Sequence, residues 1–268
     1  MSELVTFLSL VAAAVFIAGF VQSSMGFGYA VTSLAAMSFF VEVKEANLLV
    51  SLSCVAPFLL TFCYYRKAVK WPDLGGAILG AAIGLPFGLV VFRYMPGDWL
   101  IRGTGAIILL ITIDGLLRKP KSNSDTVEKK SGLSWLAGGV SGFLAGAVSI
   151  AGPPVAAYVV RQSWSPQRMK GFLVGFMILM ATYKVAGLIV GGFLDMKVVI
   201  YSAVVTPVAC VGSVLGVVVS KNIDARRFRR IAMVMLSLIS VSMIFKGSPE
   251  QTTESPSTEP TTIESTQT

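Results

Sequence analysis

The sequence predicts an all-α fold: a polytopic integral membrane bundle of about eight hydrophobic segments, arranged as two inverted repeats. Three observations carry this. Of 268 residues, 54% are apolar and only 13% charged, where a soluble domain holds roughly 25% charge. Mean hydropathy is +0.74, and several apolar runs approach or exceed the roughly 18 residues a helix needs to cross a bilayer. The second half of the chain also echoes the first at an offset of 126 to 128 residues.

The segments follow in order. A long interrupted run covers 4–41, then come spans near Ala46 to Tyr65, Leu74 to Phe92 and Trp99 to Leu117. A second interrupted run covers Leu133 to Val160, followed by spans near Met169 to Phe193, Val198 to Ser220 and Ile231 to Phe245. Each repeat is thus expected to be a broken, re-entrant hairpin plus three transmembrane helices, over residues 1–117 and 132–246. A basic linker, 118–131, joins them. The tail, 247–268, is Ser, Thr, Pro and Glu almost throughout and is expected to be disordered. Met1-Ser2-Glu3 lacks a basic signal-peptide start, so the first segment is expected to stay in the protein.

Charge placement orients the spans. The net charge of +8 sits in loops, which makes it a topology signal and not a nucleic-acid footprint. Basic loops at 66–70, 118–130, 161–170 and 221–230 go to the cytoplasm. The connections at 42–45, 94–98 and 194–196, and both chain ends, go outside. Leu133 to Val160 then lies between two inside loops and must return to the face it came from. The break at Ser149 to Pro154, "SIAGPP", suits two short arms meeting near mid-membrane, since a Pro pair stops one helix and starts the next.

Shifting by 126 lays "SSMGFG" (Ser23 to Gly28) on "SIAGPP", so both breaks carry S-x-x-G; shifting by 128 lays Gly84 and Gly88 on Gly212 and Gly216. The small-x-x-x-small pairs are read as close helix packing. Two copies with an odd number of crossings each must point in opposite directions, a recurrent design of secondary transporters in which the breaks form the substrate site.

A helix broken in lipid survives only against protein or water, because its freed N–H and C=O groups need partners. Arms starting near Phe27 and near Pro153 present N–H groups and positive dipole ends to the centre, a setting for an anion. Gln22, Ser23, Ser24 and Ser149 add donors. The candidate substrate-binding set is therefore Gln22, Ser23, Ser24, Gly26, Phe27, Gly28, Ser149, Gly152, Pro153, Pro154 and Lys184. Lys184 lies well inside a span, where an ionisable residue is functional by default. Three roles stand open for it: offsetting an anion, serving neutral in a proton relay, or snorkelling outward. Asp114 and Arg102 lie nearer span ends, and Arg161 is read as a loop residue.

With no histidine and three isolated cysteines (Cys54, Cys63, Cys210), neither a metal site nor a cofactor is expected. An intramembrane enzyme would have to pair a serine with Lys184, and a non-transporting scaffold would need no polar centre. These are the two alternatives to a transporter.

Four stretches carry a resemblance: "AGFVQSSMGFGYA", "GAAIGLPFG" with "RGTGAIILL" after it, "GGVSGFLAGAVSIAGPP", and "VGSVLGVVVSKNIDARRFRR". In their order and spacing over residues 10–246 the chain resembles the sulfite exporter TauE/SafE family, also called the toluene sulfonate uptake permease family. The resemblance implies a non-enzymatic, multi-pass plasma-membrane transporter of small sulfur-containing or organic anions such as sulfite, sulfoacetate or other sulfonates. It carries over Gly26, Phe27 and Gly28 in the first half and Ser149, Gly152, Pro153 and Pro154 in the second. Expected partners are a small anion, membrane lipid and a coupling ion, proton or sodium. Substrate, direction and oligomeric state are not selected.

Overall fold

The computed structural model describes residues 2–37, 39–95, 131–162 and 164–220, with positions 99, 106 and 234. Apart from those three positions, the expected spans Trp99 to Leu117 and Ile231 to Phe245 lie outside this set, as do most of the basic linker and the tail. Among the described residues the chain is helical, without strands. The helices are α1 (Ser2–Met25), α2 (Tyr29–Met37), α3 (Val43–Ser53), α4 (Val55–Tyr65), α5 (Trp71–Tyr94), α6 (Ser131–Val148), α7 (Gly152–Val160), α8 (Pro166–Val190) and α9 (Met196–Ser220). Five stretches are long and apolar enough to cross a membrane: Glu3–Met25, Val43–Ala68, Trp71–Tyr94, Gln167–Val190 and Met196–Ser220.

The breaks form where expected, but their arms are unequal. The first joins the 24 residues of α1 to the nine of α2; the second joins the 18 of α6 to the nine of α7. The long arms measure about 36 and 27 Å at 1.5 Å per residue. Each hairpin is therefore one long helix with a short return, and not two short arms.

The register of the repeat also differs from the letter match. Met25 and Val148 end the long arms, Tyr29 and Gly152 start the short ones, Met37 and Val160 end them, and Val43 and Pro166 start the next helices; each pair is 123 residues apart. In this register Gly26 falls on Ser149, and these two share left-handed backbone, φ 85° and 62°. Their N–H groups bond to equivalent carbonyls, Gln22 O at 2.6 Å and Ala145 O at 3.0 Å. The S-x-x-G match at 126 follows residue letters, whereas the turn geometry sets the true correspondence three residues away.

One interruption was not expected. The span read from Ala46 to Tyr65 is divided at Cys54 into α3 and α4. Pro57 explains it: the ring cannot donate to the carbonyl of Ser53 and crowds it.

Packing couples the repeats. α1 lies parallel to α9, with Phe7 on Tyr201 (ring centroids 5.8 Å apart) near one end and Phe20 facing Gly216 near the other. α5 lies parallel to α6, with Gly80, Gly84 and Gly88 against the backbone of Trp135, Gly139 and Phe143. A Cβ at Gly84 would run into the Gly139 carbonyl, and one at Gly212 into that of Phe16. Glycine is required in both seams for backbones to come this close, the usual means of association without a hydrophobic drive. The first helix of each repeat thus packs on the last described helix of the other.

The equivalent helices α3–α4 and α8 run antiparallel: Lys170 lies beside Tyr65, and Lys184 bonds Asn47. That antiparallel course is what inverted repeats require. The outer faces of α5 and α9 stay apolar and uncovered, with Leu79, Ile83, Phe87, Val204, Val211 and Val218 exposed. Such a surface matches lipid and not water.

Candidate functional site

The two breaks meet. Phe27 packs on Gly152, where an added Cβ would lie 3.0 Å from the Phe27 Cβ. Between them lies a cavity of about 40 Å³, lined by Gln22, Gly28 and Tyr29 from the first break and by Ser149, Ile150 and Gly152 from the second. Ser51 and Cys54 close one side and Lys184 another. On this measure a water molecule needs about 10–15 Å³, so the space suits a few waters or one small anion.

Gln22 is fully buried and bridges the first break. Its Nε2 donates to Gly26 O at 3.1 Å and its Oε1 accepts from Tyr29 N at 3.4 Å. It replaces bonds that the helix loses where Gly26 and Gly28 adopt positive φ. The next two residues of α2, Ala30 and Val31, also line the cavity; first-turn N–H groups have no intrahelical acceptor.

The second break is polar in its side chains. Ser149 holds left-handed φ without being glycine, a conformation that costs roughly 1–2 kcal/mol and that clusters at functional sites. Its hydroxyl is the centre of a network. Lys184 Nζ donates to Ser149 Oγ at 2.6 Å and to Asn47 Oδ1 at 2.7 Å. Ser149 Oγ lies 2.7 Å from Asn47 Oδ1 and 2.8 Å from Ser51 Oγ. Asn47 Nδ2 donates to Ala147 O at 3.0 Å, and Ser51 Oγ to Asn47 O at 2.6 Å.

Lys184 is 3% exposed. Both of these partners are neutral, and among the described residues no carboxylate pairs with it; the ion pair found there joins Arg168 to Asp73. The Phe92 ring, 5.9 Å from Nζ, adds a weak cation–π contact. Of the three roles left open from sequence, snorkelling does not fit this placement.

The remaining candidates divide by location. Gln22, Gly28, Ser149, Gly152 and Lys184 line the cavity. Ser23 and Ser24 do not. Ser23 Oγ lies 2.7 Å from Thr61 Oγ1, and Ser24 Oγ donates to Phe20 O at 2.7 Å and Gly216 O at 3.2 Å, so both are drawn into helix packing. Gly26 turns the chain against Leu173, and Phe27 forms the contact between breaks. Pro153 and Pro154 are buried in the first turn of α7 and carry no N–H. Donors at the second break therefore come from Ala151, Gly152 and side chains, not from a full set of helix N–H groups.

Asn47, Ser51 and Tyr29 were not singled out from the sequence. Tyr29 Oη donates to Ser53 Oγ at 3.1 Å under the first break. The signal for the other two was available: an asparagine within an apolar run, with a serine four residues later on the same helix face.

Two broken helices and a buried lysine beside a shared cavity, within a bundle that has five stretches apolar and long enough to cross a membrane, are the features of a multi-pass helical membrane protein. The sulfite exporter TauE/SafE family profile matches residues 11–243, and the chain belongs to that family of membrane transporters. Searches of curated proteins and of solved structures find no match.

Proposed function

We propose that the protein is a secondary transporter that moves small sulfur-containing or organic anions, such as sulfite, sulfoacetate or other sulfonates, across the plasma membrane. The observation that carries this is Lys184, a buried cation at the wall of a cavity shared by both breaks, held by the neutral Asn47 and Ser149. A buried unpaired charge is costly, and an anion in the cavity would supply the missing opposite charge. The N–H groups in the first turn of α2 add neutral donors around it. Alternating access follows from the two repeats rocking about this point. The test is uptake or efflux of sulfite and a panel of sulfonates in proteoliposomes under imposed pH and sodium gradients. Transport driven by one gradient identifies the coupling ion; silence across the panel sinks the proposal.

A second reading rests on one distance. Lys184 Nζ stands 2.6 Å from Ser149 Oγ, the reach of a Ser/Lys nucleophile and base, which fits an intramembrane enzyme. Labelling of Ser149 by a fluorophosphonate, abolished in Lys184→Met, would support that chemistry, and an unlabelled protein removes it.

A further inference from the structure

Asn47 sits behind the cavity wall, in the first repeat, and reaches three elements of the second. Its Nδ2 is committed to Ala147 O at the end of α6, which fixes the orientation of the amide, since only the nitrogen can donate. Oδ1 therefore faces α8 and the second break, accepting from Lys184 at 2.7 Å and from Ser149 at 2.7 Å. The lysine ammonium has three N–H donors. Asn47 and Ser149 take two of them, and the side chain lies on the wall of the cavity. Asn47 is thus well placed to aim the ammonium, but as an amide it cannot neutralise it. A carboxylate of the same shape would neutralise the ammonium while giving up the bond to Ala147 O.

We propose that Asn47 is a positioning residue that sets the charge preference of the cavity: its amide holds Lys184 in place and leaves the positive charge to the ligand. This rests on the anion-transporter reading above. Ser51 supports the arrangement from one turn further along α3, bonded to Asn47 O and 2.8 Å from Ser149 Oγ. The ligand implied is a small anion that Lys184 touches directly, with Asn47 acting through the lysine.

The test is Asn47→Asp in the full chain, assayed for sulfite and sulfoacetate transport in proteoliposomes beside the wild type. An internal carboxylate pairs with Lys184 and competes with the substrate. The expected result is a KM raised tenfold or more with kcat changed less than threefold, in a protein that still elutes as a single folded species. A purely structural role for Asn47 moves folded yield and kcat together and leaves KM in place. A KM within twofold of wild type overturns the proposal. Should Asn47→Asp fail to fold, Ser51→Asp places a carboxylate against the same network, with the same tenfold expectation and the same twofold limit. If the wild type moves neither of these, the comparison is made with whichever anion of the sulfonate panel it does move; a wild type that moves none of them overturns the transporter reading itself, and this inference with it.

Discussion

The two breaks occupy equivalent places in an inverted pair of repeats, yet they solve the same backbone problem with different chemistry. At the first, Gly26 adopts φ 85°, which glycine does readily, and Gln22 ties the loose ends together. At the second, the equivalent residue is Ser149, which accepts the strain of φ 62° and in exchange places a hydroxyl against Lys184 and Asn47. The neighbours diverge in step. At the spacing of 123, Asn47 corresponds to Lys170 and Thr61 to Lys184. Lys170 donates to Ser220 O at the end of α9, and Thr61 is bonded to Ser23. Of these two equivalent pairs each half sends one member to the network at the cavity, Asn47 from the first and Lys184 from the second, while Thr61 and Lys170 serve helix packing.

The strongest challenge to this comparison lies where the halves remain alike. Gly84→Leu and Gly212→Leu each drive a side chain into a backbone carbonyl of the facing helix, at or beyond the upper end of the about 1–3 kcal/mol typical of overpacking. Both are expected to abolish folded protein in detergent, judged by size-exclusion chromatography. A tolerant Gly212 with an intolerant Gly84 would mean that the two seams are not equivalent.

Next in size is the charge on one side only. Lys184→Met is expected to weaken anion affinity at least tenfold, about 1.4 kcal/mol, with folded yield retained; unchanged KM in proteoliposomes would remove the lysine from the site. The paired exchange at the turns is subtler. Gly26→Ala is expected to lower stability by about 1–2 kcal/mol, because φ is left-handed and a Cβ would lie 3.2 Å from that of Leu173. Ser149→Gly is expected to leave thermal stability unchanged or raised, while transport falls with the lost hydroxyl. If Ser149→Gly transports normally, the strain at Ser149 serves only packing. The smallest effect belongs to Thr61→Val, which removes the partner of Ser23. It should cost about 1 kcal/mol in thermal melts and leave KM alone, as expected of a polar contact outside the cavity.

Much of this was legible before the structure. Hydropathy marked the helices, Gly and Pro marked the breaks, and Lys184 stood out as a cation in an apolar run. The span ending at Tyr65 does run as one stretch, Val43–Ala68, with a local irregularity at Cys54 ahead of Pro57, whereas Pro86 and Pro207 lie within α5 and α9 without such a mark. At the breaks the letter match at 126 lies three residues out of register, whereas the match of Gly84 and Gly88 to Gly212 and Gly216 at 128 agrees with the packing. Matching letters favoured serine on serine, while a left-handed turn accepts glycine in one copy and serine in the other. Asn47 does not stand out in the sequence because it lies near the start of its span, where interfacial solvation accounts for a polar residue equally well.

From the sequence alone came the membrane bundle, the places of both breaks and the notice drawn to Lys184. These depend on the partition of each segment between lipid and water and on residues that stop helices, which are properties of short stretches of chain. Which break carries the polar network, and which serines leave it for packing, was decided only by the tertiary structure. The deciding bonds join residues 35, 102 and 137 positions apart. They depend on how each helix is rotated about its axis, and a helix apolar on nearly every side holds little periodic pattern to reveal that rotation.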